Sequence, residues 1–416
     1  MIERKILVYV DLDNSLHQVG TLWTRQGNRD SASFGYDREW LAHPKRFALE
    51  PLLQLASGVI HTGAGRSLFG AIGDSAPDRW GRVLIQREER RKAKEENRAP
   101  RTLSEGDYLL GVGDITRQGA LRFRLSDDGE FLAKQDSKNI PPLIRLGDLL
   151  GAATRLCADE ENENDLRLLL APGSSLGGAR AKASVIDRDG SLAIAKFPQA
   201  DDLWQVPLWE AVALELAERA GITVASRRIE RVDGKPVLIL NRFDRQGSTR
   251  IPFLSAMSML TAADNEDHSY LEIADALRTY GSKPEQDLHQ LWRRIVFNIL
   301  ISNTDDHLRN HGFLYAGKGW TLSPAYDLNP MPTDIKPRAL SLAIDEHEST
   351  ASLELAYSVA SAFGMKPDAA KQIAREVGQA VSGWRERAAE HGITNREITR
   401  MESAFEHEDL RLAVVF

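Results

Sequence analysis

The chain has 416 residues, 42% of them hydrophobic and 27% charged, with a formal net charge of −7. That length suffices for two or three domains, each with its own core. The acidic balance removes any overall attraction for nucleic acid, so such contact needs a local patch. The one cysteine, Cys157, excludes an internal disulfide and a multi-cysteine zinc site.

The start, MIERKILVYVDLD, lacks a basic-then-apolar signal pattern, and no apolar run reaches the ~18 residues of a spanning helix. A soluble, cytoplasmic protein with no membrane partner is expected. The first third reads as β-rich. KILVYVDL and HQVGTLW are strand-like runs split by Asp-Asn-Ser, which predicts a hairpin, and ASFGY and ALRFRL are further strands. Between them a helix is predicted, with Asp78 as N-cap, Trp80, Val83, Leu84 and Arg87 at helical spacing, and Pro100 beyond its end. From Arg79 to Arg101 it carries nine basic residues against four glutamates. A solvated face is the favoured reading of this segment, with a phosphate-contacting patch as the alternative.

A linker-like stretch from Ser126 leads to a helix in IRLGDLLGAATRLCADE. A Gly/Ser loop, Gly173 to Gly178, then precedes two strands, KASVID and LAIAKF, joined by Arg-Asp-Gly. An amphipathic helix from Pro207 stops at Gly221, and ASRRIERV and KPVLILNRFD are two more strands joined at Asp233-Gly234. After Asp244 the pattern becomes mostly helical. EQDLHQLWRRIVFNILIS is its strongest segment, GFLYAGKGWTLS a short hairpin, and the residues from Leu353 are nearly all helix-forming.

The stretch NTDDHLRNHGF, between that strong helix and the hairpin, gathers Asp305, Asp306, His307, Asn310 and His311. A hydrolytic metal centre fits poorly: His307 and His311 share a face only on a helix, and Leu308 stands where a zinc protease has its glutamate. A phosphatase with Asp11 and Asp13 as its acid pair also fits poorly, because a second strand-like run follows them at once. Phosphoryl transfer asks for ordered parts: a Gly-rich loop, a strand lysine, a helix glutamate, Asp and Asn five residues apart, and a later Asp after a hairpin. The chain supplies them in that order as GSSLGGARAK, Lys196, Glu210, Asp305 with Asn310, and Asp327. Asp305 would orient an acceptor hydroxyl and accept its proton. Asn310 and Asp327 are hard oxygen donors suited to Mg²⁺.

With DSAPDRWGR, DYLLGVGDITRQGALRF, GSSLGGARAKA, AIAKFP, NRFDR, NTDDHLRNHGF and LSPAYDLNP spread over essentially the whole length, the sequence resembles the HipA family of bacterial serine/threonine kinases, the toxins of HipA–HipB pairs. The resemblance implies an α+β, bilobal protein-kinase-like fold with an N-terminal β-rich subdomain (1–140), an N-lobe (141–243) and a mostly helical C-terminal lobe (244–416). It implies ATP with Mg²⁺. By position Asp305 resembles the catalytic aspartate, Asn310 and Asp327 the metal ligands, and Lys196 the nucleotide-phosphate lysine. Gly177, Gly178 and Lys182 lie in the family's phosphate loop, Ser175 or its neighbour Ser174 at its autophosphorylation site, and Arg242 and Phe243 in its hinge. The implied partners are a HipB-like helix-turn-helix antitoxin, operator DNA mainly through that antitoxin, and a protein substrate, an aminoacyl-tRNA synthetase among the candidates. The alternative function is a catalytically quiet corepressor.

Overall fold

In the computed structural model the described residues are 2–27, 29–63, 65–133, 140–170, 178 and 180–415. They form two compact units. The first comprises 1–200, 231–235 and 239–254; the second comprises 201–230, 236–238 and 255–416.

The first unit opens with the expected hairpin. β1 (Ile2–Leu12) and β2 (Ser15–Gln26) pair antiparallel, with a register shift at Val8/Tyr9. Asp13 and Asn14 take φ of +52° and +60°. These are left-handed values that Asp and Asn tolerate because their short side chains bond locally. With β3 (Ser31–Tyr36), β4 (Val59–His61) and β5 (Leu121–Arg124) they make a five-stranded sheet of order β4-β3-β2-β1-β5. Ile6, Val8 and Val10 from β1, Leu22 from β2 and Phe34 from β3 are fully buried. Leu7 and Tyr9, which lie between them on β1, are each 4% exposed, so the middle of β1 is covered on both faces.

The helix Arg79–Glu95 begins at the predicted cap: Asp78 Oδ1 accepts from the Gly81 N–H at 2.7 Å. Most of the basic residues on it and just beyond it are ion-paired. Arg82 reaches Glu105, Arg87 reaches Asp159 and Glu161, Arg91 reaches Glu88, Glu95 and Glu163, and Arg98 and Arg101 reach Glu89. A phosphate-contacting patch gains no support here, because acids from elsewhere in the unit have joined the helix's own glutamates.

The strands β6 (Lys182–Ile186) and β7 (Leu192–Lys196) pair antiparallel within a sheet of order β6-β7-β9-β8, where β8 is Arg227–Val232 and β9 Lys235–Asn241. After Asp244 the expected helices are delayed by three short strands, Arg245–Gln246, Thr249–Arg250 and Phe253–Ser255. The cause is side-chain chemistry that a periodicity search misses. Asp244 is fully buried between Arg242 and Arg245, and its Oδ2 accepts from the Gly119 N–H at 2.7 Å. Arg242, Arg245 and Arg250 donate to carbonyls of the 114–119 loop. Burial alone would push the Asp244 carboxyl up, yet these guanidiniums hold it well below the usual carboxylate range.

The second unit is mostly helical. Helix Val206–Arg219 is buried along almost its whole length. It lies against Trp384 and Phe405, which stack at 4.5 Å between ring centroids, and Trp209 Nε1 donates to Glu397 at 2.8 Å. Helix Pro284–Leu300 is followed by a loop and then by the hairpin Gly312–Tyr315/Trp320–Leu322, as expected. Helices from Leu353 to Val415 complete the unit.

Candidate active site

Helix Pro284–Leu300 ends in a run that is buried on every side, Ile295 to Leu300, so the chain must leave it by a sharp turn. Ser302 makes that turn at φ +51°, with its Oγ donating to the Ala404 carbonyl at 2.8 Å. The next residues are pinned one by one. Asn303 Nδ2 donates to Asn298 Oδ1 (3.0 Å), and its Oδ1 accepts from the Asn329 N–H (3.3 Å). The Thr304 carbonyl accepts from Lys336 Nζ and Ser341 Oγ, both at 2.9 Å.

Residues 305–310 then alternate. Asp305, His307 and Arg309 are exposed, whereas Asp306, Leu308 and Asn310 are buried. The two adjacent acids therefore have opposite roles. Asp306 is 2% exposed, and its Oδ2 accepts from the Tyr270 hydroxyl (2.5 Å) and lies 2.8 Å from His311 Nε2. Burial pushes its carboxyl up, but His311 and Tyr270 outweigh that and keep it below the ordinary value. Tyr270 in turn accepts from Asn298 Nδ2 at 3.4 Å. Asp306 is thus a buried anchor, and the peptide bond it shares with Asp305 carries that rigidity to the exposed carboxylate. His311 belongs to the anchor.

Asp327 lies on the loop after the hairpin, at φ +55°. Its neighbour Tyr326 donates its hydroxyl to the Arg309 carbonyl at 2.7 Å, and the Ser323 N–H bonds the Gly312 carbonyl at 2.8 Å. The loops carrying Asn310 and Asp327 are therefore tied together. As a donor set, one amide oxygen and one carboxylate suit Mg²⁺, which keeps waters and takes phosphate oxygens instead of a full protein cage. Among the described residues no three of His, Cys, Asp and Glu converge on a metal position.

The first unit holds the expected lysines and hinge residues. Lys182 and Lys196 are directly opposed on β6 and β7. Lys196 is half-buried, while Lys182 is 5% exposed and ion-paired to Asp78 Oδ2 at 2.9 Å. Gly178 takes φ +88°. Ser174, Ser175 and Gly177 lie outside the described residues. The Arg242 side chain is wholly committed to Asp244 and the Thr116 and Arg117 carbonyls, and its N–H to the Leu192 carbonyl. Phe243 packs near Phe253 at 6.2 Å. Glu210 is buried on its helix in the second unit. Sequence reasoning missed Tyr270, Asn298 and Asn303. Their only signal is polarity at positions facing a core, which a single sequence does not display.

A match to the HipA N-terminal domain covers residues 10–124, and a match to the HipA-like C-terminal domain covers residues 174–384. The chain belongs to the HipA family. A chain in the Shewanella oneidensis complex of HipA, HipB and operator DNA shares the fold, with a TM-score of 0.65 at 15% identity over 98% of this chain and 96% of that one. The HipA fold accounts for the β-rich N-terminal region and the mostly helical C-terminal region. Among curated relatives, the Sinorhizobium fredii protein Y4mE, which has a provisional kinase designation, is 27% identical over 37% of this chain. A Haemophilus influenzae protein with a similar designation is 32% identical over 20% of it. The chain spans 41% and 25% of these two relatives' own lengths.

Proposed function

We propose that this HipA-family protein is an ATP-dependent serine/threonine protein kinase, the toxin of a toxin–antitoxin pair. The observation that carries the reading is the exposed Asp305 standing on the buried Asp306–Tyr270–His311 anchor, beside the tied loops of Asn310 and Asp327. Asp305 accepts the proton of the acceptor hydroxyl; a fixed carboxylate does this better than a mobile one because the orientation is established before reaction. Asn310 and Asp327 would hold Mg²⁺, which when bound neutralises developing charge on the nucleotide phosphates. Lys196, in the first unit, is the proposed nucleotide-phosphate lysine.

Phosphorylation of Ser174 or Ser175 would add about −1.5 to −2 charges to a loop that serves ATP, and is proposed to be inactivating. A HipB-like helix-turn-helix protein is the proposed partner, with operator DNA reached mainly through it. The ion-pairing of Arg82, Arg87, Arg91 and Lys92 on helix Arg79–Glu95 is consistent with that division. An aminoacyl-tRNA synthetase is retained as a candidate substrate.

The test is transfer of labelled γ-phosphate by wild type, Asp305→Ala and Asp327→Ala with Mg²⁺, with mapping of label on the chain. Transfer by wild type alone is expected. Equal, background-level transfer by all three would favour the corepressor role instead.

A further inference from the structure

Lys182 and Lys196 occupy one rung of an antiparallel ladder, so their side chains leave the same face of the sheet. Like charges directly opposed destabilise a strand pair, and burying an uncompensated ammonium costs several kcal/mol more. The charge that offsets Lys182 comes from 104 residues earlier in the chain. Asp78 is itself 4% exposed in its side chain, and its Oδ2 lies 2.9 Å from Lys182 Nζ. Its other oxygen caps helix Arg79–Glu95.

The same helix holds the lysine's backbone, since Trp80 Nε1 donates to the Lys182 carbonyl at 3.0 Å. The ammonium also donates to the Gly178 and Arg180 carbonyls, each at 3.3 Å, on the C-terminal side of the Gly/Ser stretch. An ammonium has three donors and no acceptor. Here it donates to two carbonyls and is ion-paired with one carboxylate, inside a site almost closed to solvent.

We infer that Lys182 is a positioning residue, not a phosphate ligand. It fixes the end of the phosphate loop, and Asp78, from the HipA N-terminal domain, is the anion that keeps it there. The N-terminal domain is therefore a working part of the nucleotide site, through one carboxylate that is at once a helix cap and a lysine clamp. Lys196, across the rung, is left as the lysine for the nucleotide. The inference rests on the kinase reading for its catalytic consequence and on geometry alone for its structural one.

The experiment compares wild type with Asp78→Asn, Asp78→Glu, Lys182→Met and the Asp78→Asn/Lys182→Met double variant. Asn remains a good helix cap, so Asp78→Asn removes the charge and leaves the helix start. Two readouts are taken: KM for ATP and kcat in the Mg²⁺-supported transfer reaction, and the rate of tryptic cleavage after Arg180 in nucleotide-free protein, followed by mass spectrometry.

The expected result is a KM for ATP raised about tenfold in Asp78→Asn and in Lys182→Met, with kcat within about threefold of wild type. The double variant should be no worse than the poorer single one, because the two act as a unit, and Asp78→Glu should recover part of the loss. Cleavage after Arg180 should be faster wherever the pair is broken. A raised KM in Lys182→Met with a wild-type KM in Asp78→Asn would overturn the inference and make Lys182 a direct phosphate ligand. If wild type transfers no phosphate, the kinase reading fails by itself and cleavage decides: unchanged rates in Asp78→Asn and Lys182→Met overturn the clamp, and faster rates support it.

Discussion

The two units bury charge in different ways. In the first, guanidiniums of Arg242, Arg245 and Arg250 grip Asp114, Asp244 and the carbonyls of the 114–119 loop. All these ends point inward, and the network joins two stretches of chain more than a hundred residues apart. In the second, one buried carboxylate, Asp306, is held by a phenol and an imidazole, and the next residue outward is the exposed Asp305. Both are desolvated polar networks with carboxylates held below their ordinary range. What separates architecture from a site is whether the network ends on an exposed reactive group. Perturbed titration alone does not decide it.

The sharpest way to break this comparison is to remove one acid from each unit. Asp305→Ala should lower phosphoryl transfer by about 10²–10⁴-fold, the usual range for a general base, while the urea midpoint stays put because the side chain is exposed. Asp244→Ala should do the reverse. It leaves buried guanidiniums uncompensated at a cost of about 3–5 kcal/mol, read as earlier urea unfolding of the first unit. A catalytic loss in Asp244→Ala with unchanged unfolding would erase the distinction.

Proton linkage offers a finer test, with opposite signs in the two units. Glu50, in the first, is 2% exposed and accepts from the Ala71 N–H; burial chiefly pushes its carboxyl up to about 7. Between pH 4.5 and 7 the folded state then holds a proton that the unfolded chain releases. The first unit should lose up to about 3 kcal/mol as pH rises through that window. His407, in the second unit, is pushed down to about 4, chiefly by burial and then by Arg338. Between pH 6.5 and 4 the unfolded chain takes up the proton first, so this unit should lose up to about 3 kcal/mol as pH falls. Hydrogen exchange resolved by unit should show the two slopes, with Glu50→Gln flattening only the first and His407→Asn only the second.

The smallest effect is expected at the most highly charged surface. Lys92→Ala removes an exposed i,i+4 pair with Glu88 and should change stability by no more than about 0.5 kcal/mol. A loss above 2 kcal/mol in a denaturation titration would show that this helix is under more electrostatic load than its geometry indicates.

Much of this was legible in the chain itself. The β1–β2 hairpin, the Asp78 cap, the paired strands at Asp233-Gly234 and the helix-loop-hairpin around Asp305 follow from local rules of turn chemistry and periodicity. The order of the parts, from the Gly/Ser loop to Asp327, points to phosphoryl transfer, and the motifs that carry them resemble the family. What was hidden is chemistry between distant residues. The NRFDR motif reads as part of a hinge, yet its arginines turn inward to a loop 126 residues away in the case of Arg242 and Thr116. The basic helix reads as lopsided only while Glu105, Asp159, Glu161 and Glu163 are left out of the count. Asp306 and His311 look like ligands until Tyr270 is placed against them.

The backbone at Asp327 has one further consequence. A side chain held at φ +55° costs about 1 kcal/mol or more, a cost glycine would escape. Asp327→Gly should therefore relax the loop while deleting the proposed Mg²⁺ donor, so the variant closest to ideal backbone geometry should also transfer no phosphate. Comparing the thermal midpoint of Asp327→Gly with that of Asp327→Ala separates this backbone relief from the loss of the side chain.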